Sequence, residues 1–250
     1  DKNIVILGDY RETTIIDGGQ SGSVIRFEEG LGGMIDNSTE LKSFTIQNGS
    51  LAGDTAGPNF YGGGIYLYNS HPKIEDITIT GNSVYYSGGG IYMDYSNPSL
   101  ENVTISGNFA TAWYGSGGGV YFNYSNPSLN NVHIINNFAN YTGGGISCNS
   151  SSPELTNSSI VDNSADGGTA GVYSESSAIV LTNVTVSNNT GLAGGLLVSG
   201  TPGPIIANSI FANNDPSAIA FSVDTAYPYI TISSSNISGA SHSSTDSISS

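Results

Sequence analysis

The sequence predicts an all-β chain, a parallel β-solenoid whose coils of about 26 residues stack along one axis. Three observations carry that prediction. One segment recurs at near-constant spacing, its apolar residues alternate with period two, and Gly and Asn return to the same places in every copy.

The recurrence comes first. GGGIYLYNSHPKIEDITITGN begins at Gly62, GGGIYMDYSNPSLENVTISGN at Gly88, GGGVYFNYSNPSLNNVHIINN at Gly117 and GGGISCNSSSPELTNSSIVDN at Gly143. Weaker copies start at Thr169 and Ala193, so the spacings are 26, 29, 26, 26 and 24 residues. That is the period of a solenoid whose repeats cannot bury their apolar faces alone.

The copies align into columns. Ile65, Ile91, Val120, Ile146, Val172 and Leu196 fill one, and Leu67, Met93, Phe122, Cys148, Ser174 and Val198 follow two residues on. A second strand supplies Ile74, Leu100, Leu129, Leu155, Leu181 and Ile206, then Ile79, Ile105, Ile134, Ile160, Val186 and Phe211. Period-two alternation puts these side chains on one face of each strand, pointing inward. Coils about 4.8 Å apart then turn each column into a continuous apolar ladder.

Corners are marked by polar and special residues. Asn82, Asn108, Asn137, Asn163, Asn189 and Asn214 form one column; Asp76, Asn102, Asn131, Asn157, Asn183 and Asn208 form another. Asn tolerates the left-handed conformation and bonds nearby backbone, and in register its amide reaches the amide of the next coil. Gly64, Gly90, Gly119, Gly145, Gly171 and Gly195 mark a third corner, where positive φ or close backbone approach is expected. Pro72, Pro98, Pro127 and Pro153 open the second strand, where a missing N–H is tolerated.

These residues resemble the pectate-lyase-like superfamily of right-handed parallel β-helices. The GGGIY and LENVTISGN phrasing is similar to that of repeat-containing cell-surface and autotransported proteins of bacteria. The likeness is clear over 62–214. It extends loosely to 13–19, 41–49 and 229–239 as irregular end coils, giving one domain over 1–240 and a Ser-rich tail at 241–250. The resemblance implies an extracellular or cell-surface location. A chain that begins at Asp1 without Met fits the same expectation of a processed protein. It leaves function open, because lyases, hydrolases, adhesins and inert stalks share this fold.

Charge narrows the partners. Five Lys and Arg stand against twenty Asp and Glu, for a net charge of −15, and no cation follows Lys73. Nucleic acid and anionic lipid both need cationic partners, so both are set aside. No stretch is long and apolar enough to be a membrane-spanning helix. Cys148 is alone, so no intrachain disulfide forms, and its column makes it a small core hydrophobe.

Catalysis finds little support. The resemblance implies, for a lyase, an Arg or Lys base and a cation that neutralises a uronate. The available cations Arg11, Arg26, Lys42 and Lys73 all lie in the first third, and a surface at −15 repels polyuronate. For a hydrolase, Glu75 and Glu101 share one outward column on neighbouring coils, close enough for a carboxylate pair at about 5 Å. They read equally as two solvated acids beside Lys73. His71, His133 and His242 do not gather, so no triad or metal-ligand spacing emerges. No cofactor is expected; Ca²⁺ on Asp54, Asp162 and Asp166 suits an acidic extracellular protein, but no spacing specifies it.

Aromatic residues are the anomaly. Tyr66, Tyr92, Tyr121 and Tyr173 occupy the outward position between two inward apolar residues. The corner before each Gly triplet carries Phe60 and Tyr61, Tyr85 and Tyr86, Trp113 and Tyr114, and Tyr141. The coil from Gly88 to Ser116 owes its three extra residues to the stretch holding Trp113, and the insertion at 51–61 falls at the same corner. Aromatic rings among hydroxyls and amides suit pyranoses, which present an apolar face and a polar edge. Stacked Tyr also stabilises a sheet with no ligand. The expected function is therefore a non-catalytic adhesin or scaffold that binds polysaccharide or surface glycan weakly. The competing readings are a polysaccharide-degrading enzyme, a passive stalk, and an ice binder, whose outward Thr pair Thr78 and Thr80 decays along the coils. Open solenoid ends expose strand edges, which the tail, further domains or another chain are expected to cover.

Overall fold

The computed structural model describes residues 4–28, 35–51, 60–222 and 229–238. The Ser-rich end, His242, Asp54 and most of the insertion at 51–61 lie outside the described residues. Every strand pair in it is parallel, and strands partner their counterparts one coil away. An eight-stranded sheet carries the GGGIY strands, among them Ile65–Tyr68, Ile91–Asp94, Val120–Asn123 and Ile146–Asn149. A sixteen-stranded sheet carries the following stretch of each coil, and a five-stranded sheet of two-residue strands closes the third side. The architecture is a parallel β-solenoid of about eight turns.

Register follows the repeat. Ile65 pairs with Ile91, Ile91 with Val120, Val120 with Ile146, and Ile146 with Val172. The predicted inward columns are buried, and Phe44, Phe122 and Phe211 are the largest fully buried side chains. Ile77, Val103, Val132 and Val184 add another inward column. The main core is one continuous cluster along the axis, with Val84, Ala110 and Ala139 of the five-stranded sheet forming a small second one, so each coil is stabilised by its neighbours rather than by itself.

The two Asn columns do different work. Asp76, Asn102, Asn131, Asn157, Asn183 and Asn208 hold φ between 50° and 57° at an exposed corner, as their residue type predicts. The other column is buried, and its own backbone is not left-handed. There the left-handed residue is the one before it: Gly81, Gly107, Asn136, Asp162, Asn188 and Asn213. The buried Asn bonds along the axis instead. Asn137 Nδ2 donates to Asn163 Oδ1 at 3.0 Å and to the Ile105 carbonyl at 2.9 Å. Its Oδ1 accepts from the Asn108 backbone N–H and from Asn108 Nδ2, each at 3.0 Å.

The glycines divide likewise. Gly62, Gly88, Gly117 and Gly143 take positive φ, whereas the column from Gly64 is glycine for lack of space. A Cβ on Gly90 would lie 2.6 Å from the Gly119 carbonyl oxygen. A further ladder is built of serine: Ser70, Ser96, Ser125, Ser151 and Ser177 are buried at the turn after the GGGIY strand. Ser125 Oγ accepts from the Ser96 N–H at 2.9 Å and donates to its own coil's Asn123 carbonyl at 2.8 Å. Each such hydroxyl satisfies two backbone groups that a turn would otherwise bury unpaired.

Candidate functional site

The aromatic corner is built from the coil joints that precede the Gly triplets. Residues Tyr61, Ser87, Ser116 and Thr142 are in register there, which stacks the flanking loops. The extra residues of the longest coil are held by backbone bonds to the coil before. Ala112 N–H donates to the Tyr85 carbonyl at 2.6 Å, and Ser116 N–H to the Tyr86 carbonyl at 3.0 Å. Tyr141 N–H donates to the Gly115 carbonyl at 2.9 Å, tying the loop to the coil after it.

The rings fall into three groups. Phe60, Tyr61, Tyr85 and Tyr86 form one cluster, with Phe60 edge-on to Tyr86 at 5.2 Å and Tyr61 stacked on Tyr86 at 5.8 Å. Tyr114 and Tyr141 meet edge to face at 6.0 Å. Trp113 stands apart, 77% exposed and with no ring contact among the described residues. The structure thus brings all these residues to one side of the solenoid but joins only some.

The outward Tyr ladder is a packed column. Tyr66 and Tyr92 stack at 5.6 Å and 5°, and Tyr92 and Tyr121 at 5.3 Å and 6°. Tyr61 closes over Tyr92 at 4.5 Å, leaving Tyr92 only 7% exposed. Arg26 covers the open end, its guanidinium carbon 3.8 Å from the Tyr66 ring centre. Burial raises the Tyr92 hydroxyl above its ordinary range and pushes that of Tyr121 up to about 12. Rings stacked face to face offer a ligand few free faces, so Tyr66, Tyr92 and Tyr121 serve the sheet first. Arg26 in this column escaped the repeat alignment, because its coil carries no Gly triplet.

Glu75 and Glu101 are Cα partners on adjacent strands, as their column predicts. Their surroundings differ. Lys42 Nζ lies 2.6 Å from Glu75 Oε1, and Lys73 pairs with both Glu75 and Glu40. Hydrogen bonds from Lys42 and then Lys73 hold the Glu75 carboxyl below the usual carboxylate range. Glu101 Oε1 accepts from Asn130 Nδ2 at 2.8 Å. Arg11 reaches Asp76 at 3.5 Å and Arg26 pairs with Glu28, so each cation among the described residues is paired with a carboxylate. No group of three or more metal-ligating side chains gathers among the described residues, and Asp162 and Asp166 are exposed loop residues. No helix of the described residues is long and apolar enough to cross a membrane.

A second corner, after the GGGIY strand, went unnoticed in the repeat despite a sequence signal: YSNPS occurs at both 95–99 and 124–128. Tyr95 and Tyr124 stack at 5.0 Å and 5° with φ of 49° and 46°.

Among comparisons with known proteins, a family model described as right handed beta helix region matches residues 29–211. No match was found among curated proteins or solved structures. The matched span holds nearly all of the clear repeats and most of the chain, and with the parallel coils described above it assigns the fold: this chain belongs to the right-handed β-helix family.

Proposed function

We propose that this chain is a non-catalytic module of a secreted or cell-surface protein that binds carbohydrate through its aromatic corner. The observation that carries the reading is Trp113, largely exposed on a loop pinned by backbone hydrogen bonds to the coils on either side. An indole with an open face on a pinned backbone suits the apolar face of a pyranose, and Tyr85, Tyr86, Tyr114 and Tyr141 belong to the same corner. Pre-organisation matters here, because little ordering of the loop is then charged against binding.

The pairing of every described cation and the tethering of Glu75 by two lysines support the non-catalytic reading over hydrolase or lyase. A general acid needs a raised pKa, and that of Glu75 is lowered. The test is affinity electrophoresis in gels containing neutral or acidic polysaccharides, comparing the wild type with Trp113→Ala and sizing each polymer afterwards. For at least one polymer, retardation that weakens at least tenfold in the variant, with the polymer intact, is the expected result. Shortened polymer would put an enzyme in its place, and no retardation by any polymer would leave a structural stalk.

A further inference from the structure

The turn that follows each GGGIY strand alternates between inside and outside. Ser96, Pro98 and Leu100 are buried while Tyr95, Asn97 and Ser99 are exposed, and Ser125, Pro127 and Leu129 against Tyr124, Asn126 and Ser128 repeat the pattern. One coil earlier the same outward column holds His71. Asp36, His71, Asn97, Ser99, Asn126 and Ser128 are among the residues that line an open groove of about 440 Å³, within the range of small-ligand sites.

The hydrogen bonding of this column orients the His71, Asn97 and Asn126 side chains. Asn97 N–H donates to His71 Nδ1 at 2.9 Å, Asn126 N–H to Asn97 Oδ1 at 2.6 Å, and Ser152 N–H to Asn126 Oδ1 at 2.6 Å. A backbone N–H can only donate. His71 Nδ1 is therefore the unprotonated nitrogen, which puts the proton of the neutral ring on Nε2. By the same logic the two Asn oxygens are taken by backbone, so each side chain has its NH₂ left to give. His71 Nε2, Asn97 Nδ2 and Asn126 Nδ2 have no hydrogen-bond partner among the described residues, and neither do the hydroxyls of Tyr95 and Tyr124.

From this row of oriented donors we infer a second binding site, separate from the aromatic corner, for a neutral polysaccharide lying along the solenoid axis. The donors recur once per coil, about 4.8 Å apart. A chain of pyranoses running along the axis offers hydroxyl oxygens at a comparable interval, and the amides and imidazole supply the protons those oxygens accept. The Asp36 carboxylate can accept from a sugar hydroxyl and disfavours an anionic ligand, as does the net charge of −15. Lys73, the nearest cation in sequence, is already paired with Glu40 and Glu75. The stacked Tyr95 and Tyr124 rings flank the row with two hydroxyls one coil apart rather than with an open face. The site depends on none of the residues of the Trp113 corner, so either can fail alone.

The test uses affinity electrophoresis of the full chain against glucomannan, xylan, laminarin and, as an anionic control, polygalacturonate. Two double variants separate function from folding. Asn97→Asp with Asn126→Asp keeps the oxygen that accepts from backbone and replaces the outward donor with a charged acceptor. Tyr95→Asn with Tyr124→Asn removes the hydroxyls with a residue that tolerates positive φ. At least one neutral polymer should retard the wild type and Trp113→Ala alike, and each double variant should bind it at least tenfold more weakly with unchanged thermal melting. Retardation lost in Trp113→Ala but kept in both double variants would overturn the site and leave the aromatic corner as the binder. Retardation by polygalacturonate alone, or by none of the polymers, would overturn it as well.

Discussion

The buried asparagine ladder makes the sharpest prediction about how this solenoid is held together. Consider Asn137→Ala. Asn137 is fully buried, and its side chain takes part in four hydrogen bonds with Asn108, Asn163 and the Ile105 carbonyl. Truncation does not orphan every partner. Asn163 Oδ1 keeps the Asn137 backbone N–H at 2.9 Å, and Asn108 Nδ2 keeps the Ile79 carbonyl at 3.0 Å. The Ile105 carbonyl loses one of two donors, since the parallel ladder to the next coil still serves it, but the Asn108 N–H loses its bond in a dry interior. At about 1–3 kcal/mol for a buried group left unsatisfied, the cost is about 1–3 kcal/mol. The control is Asn131→Gly. Asn131 belongs to the exposed column, donates to Asn102 Oδ1 at 2.8 Å, and holds φ of 53°, which glycine adopts freely. Its loss should cost about 0.5 kcal/mol, as for other surface changes. Urea unfolding followed by far-UV circular dichroism gives both values, and amide exchange locates the damage. Because solenoid stability sums over neighbouring coils, the lost protection should centre on the two coils that share Asn137. If Asn137→Ala costs no more than Asn131→Gly, the buried ladder is not what holds adjacent coils together.

Three further outcomes follow from the same structure. Gly90→Ala places a Cβ 2.6 Å from the Gly119 carbonyl oxygen on the next coil, so thermal melting should show a loss of about 1–3 kcal/mol; an unchanged melt would mean the coils can part at no cost. The Glu75 carboxyl is held below its ordinary pKa by Lys42 and Lys73, so its contribution is complete above the unfolded carboxylate pKa and fades as pH falls through the lower folded value. Glu75→Gln should therefore cost up to about 1 kcal/mol at pH 7 in low salt and nothing at strongly acid pH, and an equal cost at both would exclude the ion pairs as its source. Burial raises the Cys148 thiol above its ordinary range, so a thiol reagent should leave the folded chain unlabelled and label it stoichiometrically in urea; rapid labelling of the native protein would contradict the assigned core column.

The sequence alone determined the fold, the register and four inward columns of the core, while the column of Ile77, Val103, Val132 and Val184 and the buried serines came from the structure. The reason is periodicity: with one coil every 26 residues or so, alignment of the copies is alignment of neighbours in space. That is why Glu75 and Glu101, or Ile91 and Val120, could be paired before any coordinates. Which Asn column is buried, and whether Gly90 serves its φ or its lack of a side chain, needed the backbone path, since both alternatives fit the residue type. The surface depended on tertiary structure more heavily still. Tyr61 covering Tyr92, Arg26 capping Tyr66 and Lys42 reaching Glu75 all join residues from irregular coils or corners to the repeat, where no column predicts a neighbour. The direction of the Asn97 and Asn126 amides is of the same kind. A repeating sequence names the residues on each coil, but only the stacked backbone decides which of their polar atoms are already taken and which are left for a ligand.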